Sequence, residues 1–187
     1  FGFVSPYLTN ESAREASPTG TATRRSEKGY PLYPDAKLTP GAIDRSLTAQ
    51  YLCTHSTKER RDVSVATKKA VYKAYRLSYP PPRGAYETDH FIPLCLGGSN
   101  VRDNLWPQPA VVAHGEGFAA KDRLEFYLCK RVCKGDVNLD EARKVIWTDW
   151  VRGYTELVKP SMENKLGGMG GGNDFWKEYR QDEDGNP

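Results

Sequence analysis

An Asp-His doublet at Asp89-His90 is the most chemically capable pair in the chain, and two further groups follow at intervals that could join it in one site. The run reads Tyr86-Glu87-Thr88-Asp89-His90-Phe91-Ile92-Pro93-Leu94-Cys95-Leu96-Gly97-Gly98-Ser99-Asn100, then Asn104-Leu105-Trp106-Pro107-Gln108-Pro109. Asn104 stands fourteen residues after His90, and His114 ten residues after Asn104. Histidine titrates nearest to neutral pH of all side chains, so His90 is suited to take a proton from water. A carboxylate beside it is a hard oxygen ligand for a divalent cation. Phosphodiester hydrolysis needs that combination, an activated water and positive charge to meet the charge that builds on the phosphoryl oxygens. An isolated Asp-His pair is usually an ordinary hydrogen-bonded pair, so specificity rests on the glycine-rich and Asn-Leu-Trp segments that accompany it.

The elements that must hold these groups are legible in outline. Ala85 to Pro93 alternates as a strand does, and Gly97-Gly98-Ser99-Asn100 signals a turn. Successive strand residues point to opposite faces, so Asp89 and His90 share a site only at a strand end or bulge. Val65, Ala66, Ala70, Val71, Ala74 and Tyr75 recur at helical spacing after Ser64, a plausible N-cap, and the helix must stop before Pro80-Pro81-Pro82. Ala120, Leu124, Tyr127, Leu128 and Val132 mark a second helix that ends near Gly135. Asn138 and Glu141 form a capping-box pattern opening a third helix, whose stripe runs Ala142, Val145, Ile146, Trp150, Tyr154, Leu157, Val158 before Pro160. Trp106, Trp147 and Trp150 are core candidates. The fold class is α+β, dominated by helix.

Together these segments resemble the HNH, or ββα-metal, endonuclease superfamily, in which two strands and a helix hold one divalent cation. The similarity is nearest to small secreted nucleases with an Asp-His-x-Ile-Pro-Leu-x-Leu-Gly-Gly run, an Asn-Leu-Trp-Pro run and then Lys-Asp-x-Leu-Glu, here Lys121-Asp122-Arg123-Leu124-Glu125. It covers about Cys53 to Tyr154 and implies a ββα-metal (HNH) motif embedded in a mainly helical single domain. It implies Asp89 as a metal ligand, His90 as general base, and Asn104 as the residue that ties the loop down and helps orient the base. The family expects its last ligand in the first turn of the helix, but Gly117-Phe118-Ala119-Ala120 supplies none. His114, slightly upstream, is the candidate, with Glu116 as the alternative. A carboxylate ligand favours Mg²⁺ or Mn²⁺, and a histidine ligand widens the choice to Zn²⁺ or Ni²⁺.

The activity so implied is a metal-dependent endonuclease acting on DNA, RNA or both with little sequence preference, because no base-reading module accompanies the site. Arg61, Arg83 and Arg102 are candidates to contact the nucleic acid. Two rivals stay open: a ribonuclease toxin directed at one specific RNA, and a nucleic-acid-binding domain that keeps the scaffold without turnover. A structural zinc held by Asp89 and His90 is a third. His55, beside Cys53 and the basic run, reads as structural or phosphate-contacting rather than as a ligand.

Charge and cysteine content fit this reading without requiring it. The 187 residues carry 27 Lys+Arg against 24 Asp+Glu, a formal charge of +3, with a pI near 8.6. Residues 168–187 hold Lys177 and Arg180 against Asp174, Glu178, Asp182, Glu183 and Asp184, a net of −3, which leaves +6 on the remainder. Seven basic and two acidic residues fall between Lys58 and Arg76, a field that draws phosphate but equally describes a solvated helix face. Cys53, Cys95, Cys129 and Cys133 admit three pairings, and two disulfides are preferred to a zinc site because no second ligand pair is recognisable. Disulfides place the chain in an oxidising, secretory compartment, and Phe1 without a leader ahead of it reads as a processed start. Residues 1–35, rich in Ser, Thr, Pro and Gly, read as an extended arm lying over the domain, with Phe1, Phe3, Tyr7, Tyr30 and Tyr33 as docking aromatics, or as disordered; 36–166 read as the nuclease-like domain, and 167–187 as a Gly-rich linker and acidic tail. No stretch approaches the ~20 apolar residues of a membrane span, and oligomeric state is not legible.

Overall fold

Ser64 accepts a hydrogen bond from the Thr67 amide at 3.0 Å, so the first long helix starts where its sequence says it should. That helix is α3 (Val65–Ala74), preceded by two short ones, α1 (Ala49–Thr54) and α2 (Thr57–Arg60). A pair of strands follows, β1 (Tyr86–His90) and β2 (Leu105–Pro109), then α4 (Phe118–Cys133) and α5 (Leu139–Gly153). The computed structural model describes residues 32–110 and 117–161. The fold is α+β, as expected, with helix predominant and the strands in one two-stranded antiparallel sheet.

The register of that sheet positions the chemistry. Asp89 lies opposite Trp106, and His90 opposite Leu105. Directly opposed residues share a face. Trp106 joins the main core with Leu124, Leu128, Ile146 and Trp150, whereas Leu105 packs with Val71 and Tyr72 of α3. The ribbon is therefore held between α3 on one face and α4 with α5 on the other, and Asp89 faces α4. Each fully buried large apolar side chain contributes roughly 1.5–3 kcal/mol, so both faces are anchored.

Two disulfides reinforce this layering and settle the pairing. Cys53 of α1 bonds Cys133 at the end of α4 (Cα–Cα 5.4 Å), and Cys95, in the 3₁₀ turn Leu94–Leu96, bonds Cys129 of α4 (Cα–Cα 6.0 Å). Cys129 and Cys133, one helical turn apart, thus reach to different partners instead of forming one metal-ligand pair. Among the described residues no helix is long and apolar enough to cross a membrane.

Several sequence expectations need correction. The strand expected over 85–93 ends at His90, because Phe91 and Ile92 turn their amides to Asn104 and Pro93 leads into the 3₁₀ turn. The third helix is broken at Asp149 (φ −164°, ψ 87°), whose carboxylate accepts from the Arg152 amide and restarts the helix as an internal cap. Pro160 does not end it: a π-helical turn over Tyr154–Val158 pairs the Lys159 amide with Tyr154, and the helical path runs on to residue 161. Trp147 is 54% exposed rather than in the core, since it lies off the α5 stripe. Residues 32–35, the described end of the expected arm, lie over the domain as one of its two readings had it: Trp150 Nε1 donates to Leu32 O and the Tyr33 hydroxyl to Asp149.

Candidate active site

The loop between the strands is closed by one side chain. Asn104 is fully buried; its Oδ1 accepts from the Ile92 amide at 2.8 Å, and its Nδ2 donates to Ile92 O at 2.9 Å and Ser99 O at 3.0 Å. A side-chain amide is the one short group with a donor and an acceptor side by side, which is what a backbone N–H and C=O of one residue demand. The close approach also needs glycine: a Cβ on Gly98 would stand 1.7 Å from Ile92 O, and Gly97 takes φ +80°. Asn104 thus ties the loop down, and among the described residues its amide makes no hydrogen bond to the His90 ring.

Asn100 makes that contact instead. His90 Nε2 lies 2.9 Å from Asn100 Oδ1, and Asn100 Nδ2 donates to Arg60 O at 2.7 Å. Because the amide nitrogen is committed to Arg60, the oxygen faces the ring, so Nε2 carries the proton and Nδ1 keeps its lone pair. Nδ1 has no hydrogen-bond partner among the described residues. His90 is only 3% exposed. Burial pushes its pKa down to about 4, against the opposing pull of the Asp89 charge and the Asn100 hydrogen bond, with Arg61 and Lys121 adding to the depression. The ring is therefore a neutral proton acceptor across the physiological range.

Asp89 leaves the same strand end on the other face and meets Lys121, whose Nζ is fully buried. Lys121 donates to Asp89 Oδ2 at 2.7 Å, to His90 O at 2.8 Å, and to Glu125 one turn further along α4. Burial alone would lower the lysine pKa, but the Asp89 and Glu125 carboxylates outweigh it and hold the ammonium charged. The ammonium also fixes the backbone of the histidine it lies behind.

A pocket of about 450 Å³ opens on this cluster. Asp89, His90, Glu125 and Phe126 line it together with Ser56, Thr57, Lys58 and Arg61, and the Cys95–Cys129 disulfide forms part of its wall. Arg60 bolts α2 to this place from both ends, its carbonyl accepting from Asn100 and its guanidinium donating to Leu94 O at 2.7 Å. The residues present test what cation the pocket would suit. Two adjacent carboxylates are the hard oxygen set from which Mg²⁺ or Mn²⁺ is held with water and substrate oxygens completing its shell. The four cysteines are consumed in disulfides, and among the described residues no group of three His, Cys, Asp or Glu suited to any metal ion occurs.

Of the residues singled out from sequence, the structure brings Asp89, His90, Asn104 and Arg61 to one strand end and its pocket. Arg83 and Arg102 are exposed and do not line it; Arg102 opens the 3₁₀ turn Arg102–Asn104, and Arg83 precedes β1 at the end remote from His90. His114 and Glu116 lie outside the described residues. His55 is exposed and stacks on Tyr51. Asn100, Lys121, Glu125 and Lys58 were not picked out for the site. A signal existed for the α4 pair: Lys121 and Glu125, four apart, fall within the apolar stripe Ala120, Leu124, Leu128, where unpaired charge would be prohibitively placed. For Asn100 there was none, since its partners come from residues 10 and 40 positions away. No protein-family model, curated protein or solved structure matches the chain.

Proposed function

We propose that the chain is a metal-dependent endonuclease of the HNH, or ββα-metal, type that hydrolyses phosphodiester bonds of DNA, RNA or both with little sequence preference. The observation that carries this reading is the pinned imidazole: Asn100 holds the proton on Nε2, leaving the buried Nδ1 lone pair without a partner among the described residues, on a residue that lines one pocket with Asp89 and Glu125. His90 takes the proton of the attacking water at Nδ1 and passes it on as the leaving oxygen departs. Lys58 and Arg61 draw the phosphate to the pocket. Asp89, with Glu125 beside it, would hold a Mg²⁺ or Mn²⁺ ion, whose chemistry is to neutralise charge on the phosphoryl oxygens. Two disulfides support a secreted protein working in an oxidising compartment.

A second reading has an observation of its own. Lys121 already neutralises Asp89 and Glu125, which favours a nucleic-acid-binding domain without turnover. One experiment separates them: incubation of the purified chain with supercoiled plasmid and total RNA, in Mg²⁺, Mn²⁺, Zn²⁺ or Ni²⁺ and in EDTA, beside His90→Ala. Metal-dependent cleavage that drops roughly 10²–10⁴-fold in the variant supports the nuclease. Binding without cleavage in every metal supports the rival, and cleavage confined to one RNA species supports a toxin.

A further inference from the structure

One aromatic ring, Phe126, lines the pocket, and an aromatic pair stands one residue upstream of the segment that lines it from α2. Tyr51 and His55 stack with centroids 3.9 Å apart and 13° between their planes, and Tyr51 is 38% exposed. His55 directly precedes Ser56, the first of the four residues by which the α2 segment lines the pocket. From α4, Phe126 lines the same pocket, with Lys130 Nζ 4.5 Å over its ring. Lys130 stands over the half-buried Phe126 ring, and Lys58 and Arg61 line the pocket that Phe126 lines.

We infer that the pocket takes unpaired nucleic acid: a phosphodiester of single-stranded DNA or RNA seats against Lys58 and Arg61, and its flanking bases stack on the Tyr51–His55 pair and on Phe126. This rests on the nuclease reading above and names its substrate class. Alternating cations and aromatic faces are the recognition equipment for single strands, because every base offers a π-face and every linkage a charge. His90 gives the geometric reason for excluding a duplex. His90 is 3% exposed and lines a concave pocket, whereas a duplex keeps its bases paired inward and its backbone stiff. Bringing one linkage to the buried ring while freeing its bases to stack requires local unpairing, a cost that a single strand does not bear. Stacking is tolerant of sequence, so the preference is for strandedness rather than for a motif.

The test uses a non-self-complementary 20-nucleotide DNA, end-labelled, alone and annealed to its complement, with the matching RNA as a second strand type. Cleavage in Mg²⁺ or Mn²⁺ and fluorescence-anisotropy binding in EDTA are measured for the intact chain, Tyr51→Ala and Phe126→Leu; the leucine keeps apolar volume where Phe126 is half-buried. The expected result is cleavage of the single strands at least tenfold faster than the duplex, with kcat/KM and affinity on single strands falling about 5- to 150-fold in each variant. Equal or faster cleavage of the duplex overturns the inference while leaving the nuclease standing, as does single-strand binding within twofold of the parent in both variants. Tight single-strand binding without cleavage in any metal upholds the ligand class and removes the hydrolytic reading. Neither binding nor cleavage removes both.

Discussion

Replacing Lys121 with methionine tests the arrangement at its most consequential point. The side chain is buried completely, and its ammonium serves the Asp89 carboxylate, the Glu125 carboxylate and the His90 carbonyl. Methionine fills much the same volume, so packing is largely kept and the change isolates charge. Two carboxylates that both touch one ammonium lie about 4–5 Å apart, and at an effective dielectric near 20 their repulsion is roughly 4 kcal/mol. Their side chains are only 12% and 8% exposed, so solvent relieves little of it. That figure agrees with the roughly 3–5 kcal/mol lost when one partner of a buried ion pair is removed. Urea unfolding followed by the fluorescence of buried Trp106 and Trp150, with EDTA present and disulfides intact, should show a midpoint lower by about 2 M at pH 7.5. The sign with pH is also set. Without the ammonium one carboxyl is forced to hold a proton in the folded state, so its folded pKa rises above its unfolded value. The variant's stability is then retained at low pH and lost as pH rises through that raised pKa, and the deficit relative to the parent should shrink by more than about 1 kcal/mol at pH 5. Adding Glu125→Gln to the variant should recover about half of the deficit at pH 7.5. A loss under about 1 kcal/mol, or one indifferent to pH, would refute the claim that this lysine neutralises the two acids.

Asn104→Ala orphans the Ile92 amide and carbonyl and the Ser99 carbonyl, and should cost at least about 2 kcal/mol with hydrogen-exchange protection lost first at the Ile92 amide. His90 has a folded pKa near 4 against an ordinary 6.5; the unfolded chain takes up the proton first, so stability is full above pH 6.5 and falls by up to about 3 kcal/mol as pH drops to 4. Chemical denaturation in EDTA across that window should show the fall in the parent and a flatter profile in His90→Gln. Removing the Cys53–Cys133 bond, which spans 80 residues, should cost about 4 to 5 kcal/mol, and removing Cys95–Cys129, spanning 34, about 4. Only the second lines the pocket, so the Cys95→Ser/Cys129→Ser pair should also depress cleavage at 20 °C, whereas the Cys53→Ser/Cys133→Ser pair should leave cleavage near the parent's.

Local signals located the elements that are governed locally. Ser64 and the Asn138–Glu141 box sit where the helices begin because a cap acts within three residues of itself. Strand β2 was hidden by the same logic. Pro107 and Pro109 argue against a strand, and the segment is one only because a two-stranded sheet leaves each strand an outer edge on which a missing amide goes unnoticed. Asp149 and Pro160 mislead in opposite directions. The aspartate breaks a helix whose apolar stripe runs straight through it, since Tyr33, 116 residues away, engages its carboxylate. The proline fails to end a helix that a π turn has already re-registered.

At the site the division is sharper, and it follows the distance over which each residue acts. Asp89, His90 and Asn104 stand out because their types and spacing are those the proposed chemistry asks for. The residues that decide what His90 can do lie elsewhere. Asn100 chooses the tautomer, but only through the Arg60 carbonyl that orients its own amide. Lys121 bonds the Asp89 carboxylate and fixes the histidine backbone from a helix 32 and 31 residues on. The two supports are separable by design of the strand end: Asp89 turns to α4, His90 to the loop, and each is held by a different element. Positive charge behind the carboxylate and a free lone pair on the imidazole can then coexist at adjacent residues without the two side chains consuming one another in an Asp–His hydrogen bond. An aspartate bonded directly to the ring would hold the ring's proton and be spent as a ligand. The Asn100–Arg60 link removes that conflict, which is why the asparagine, silent in the sequence, is as much a condition of the proposed chemistry as the doublet that announces it.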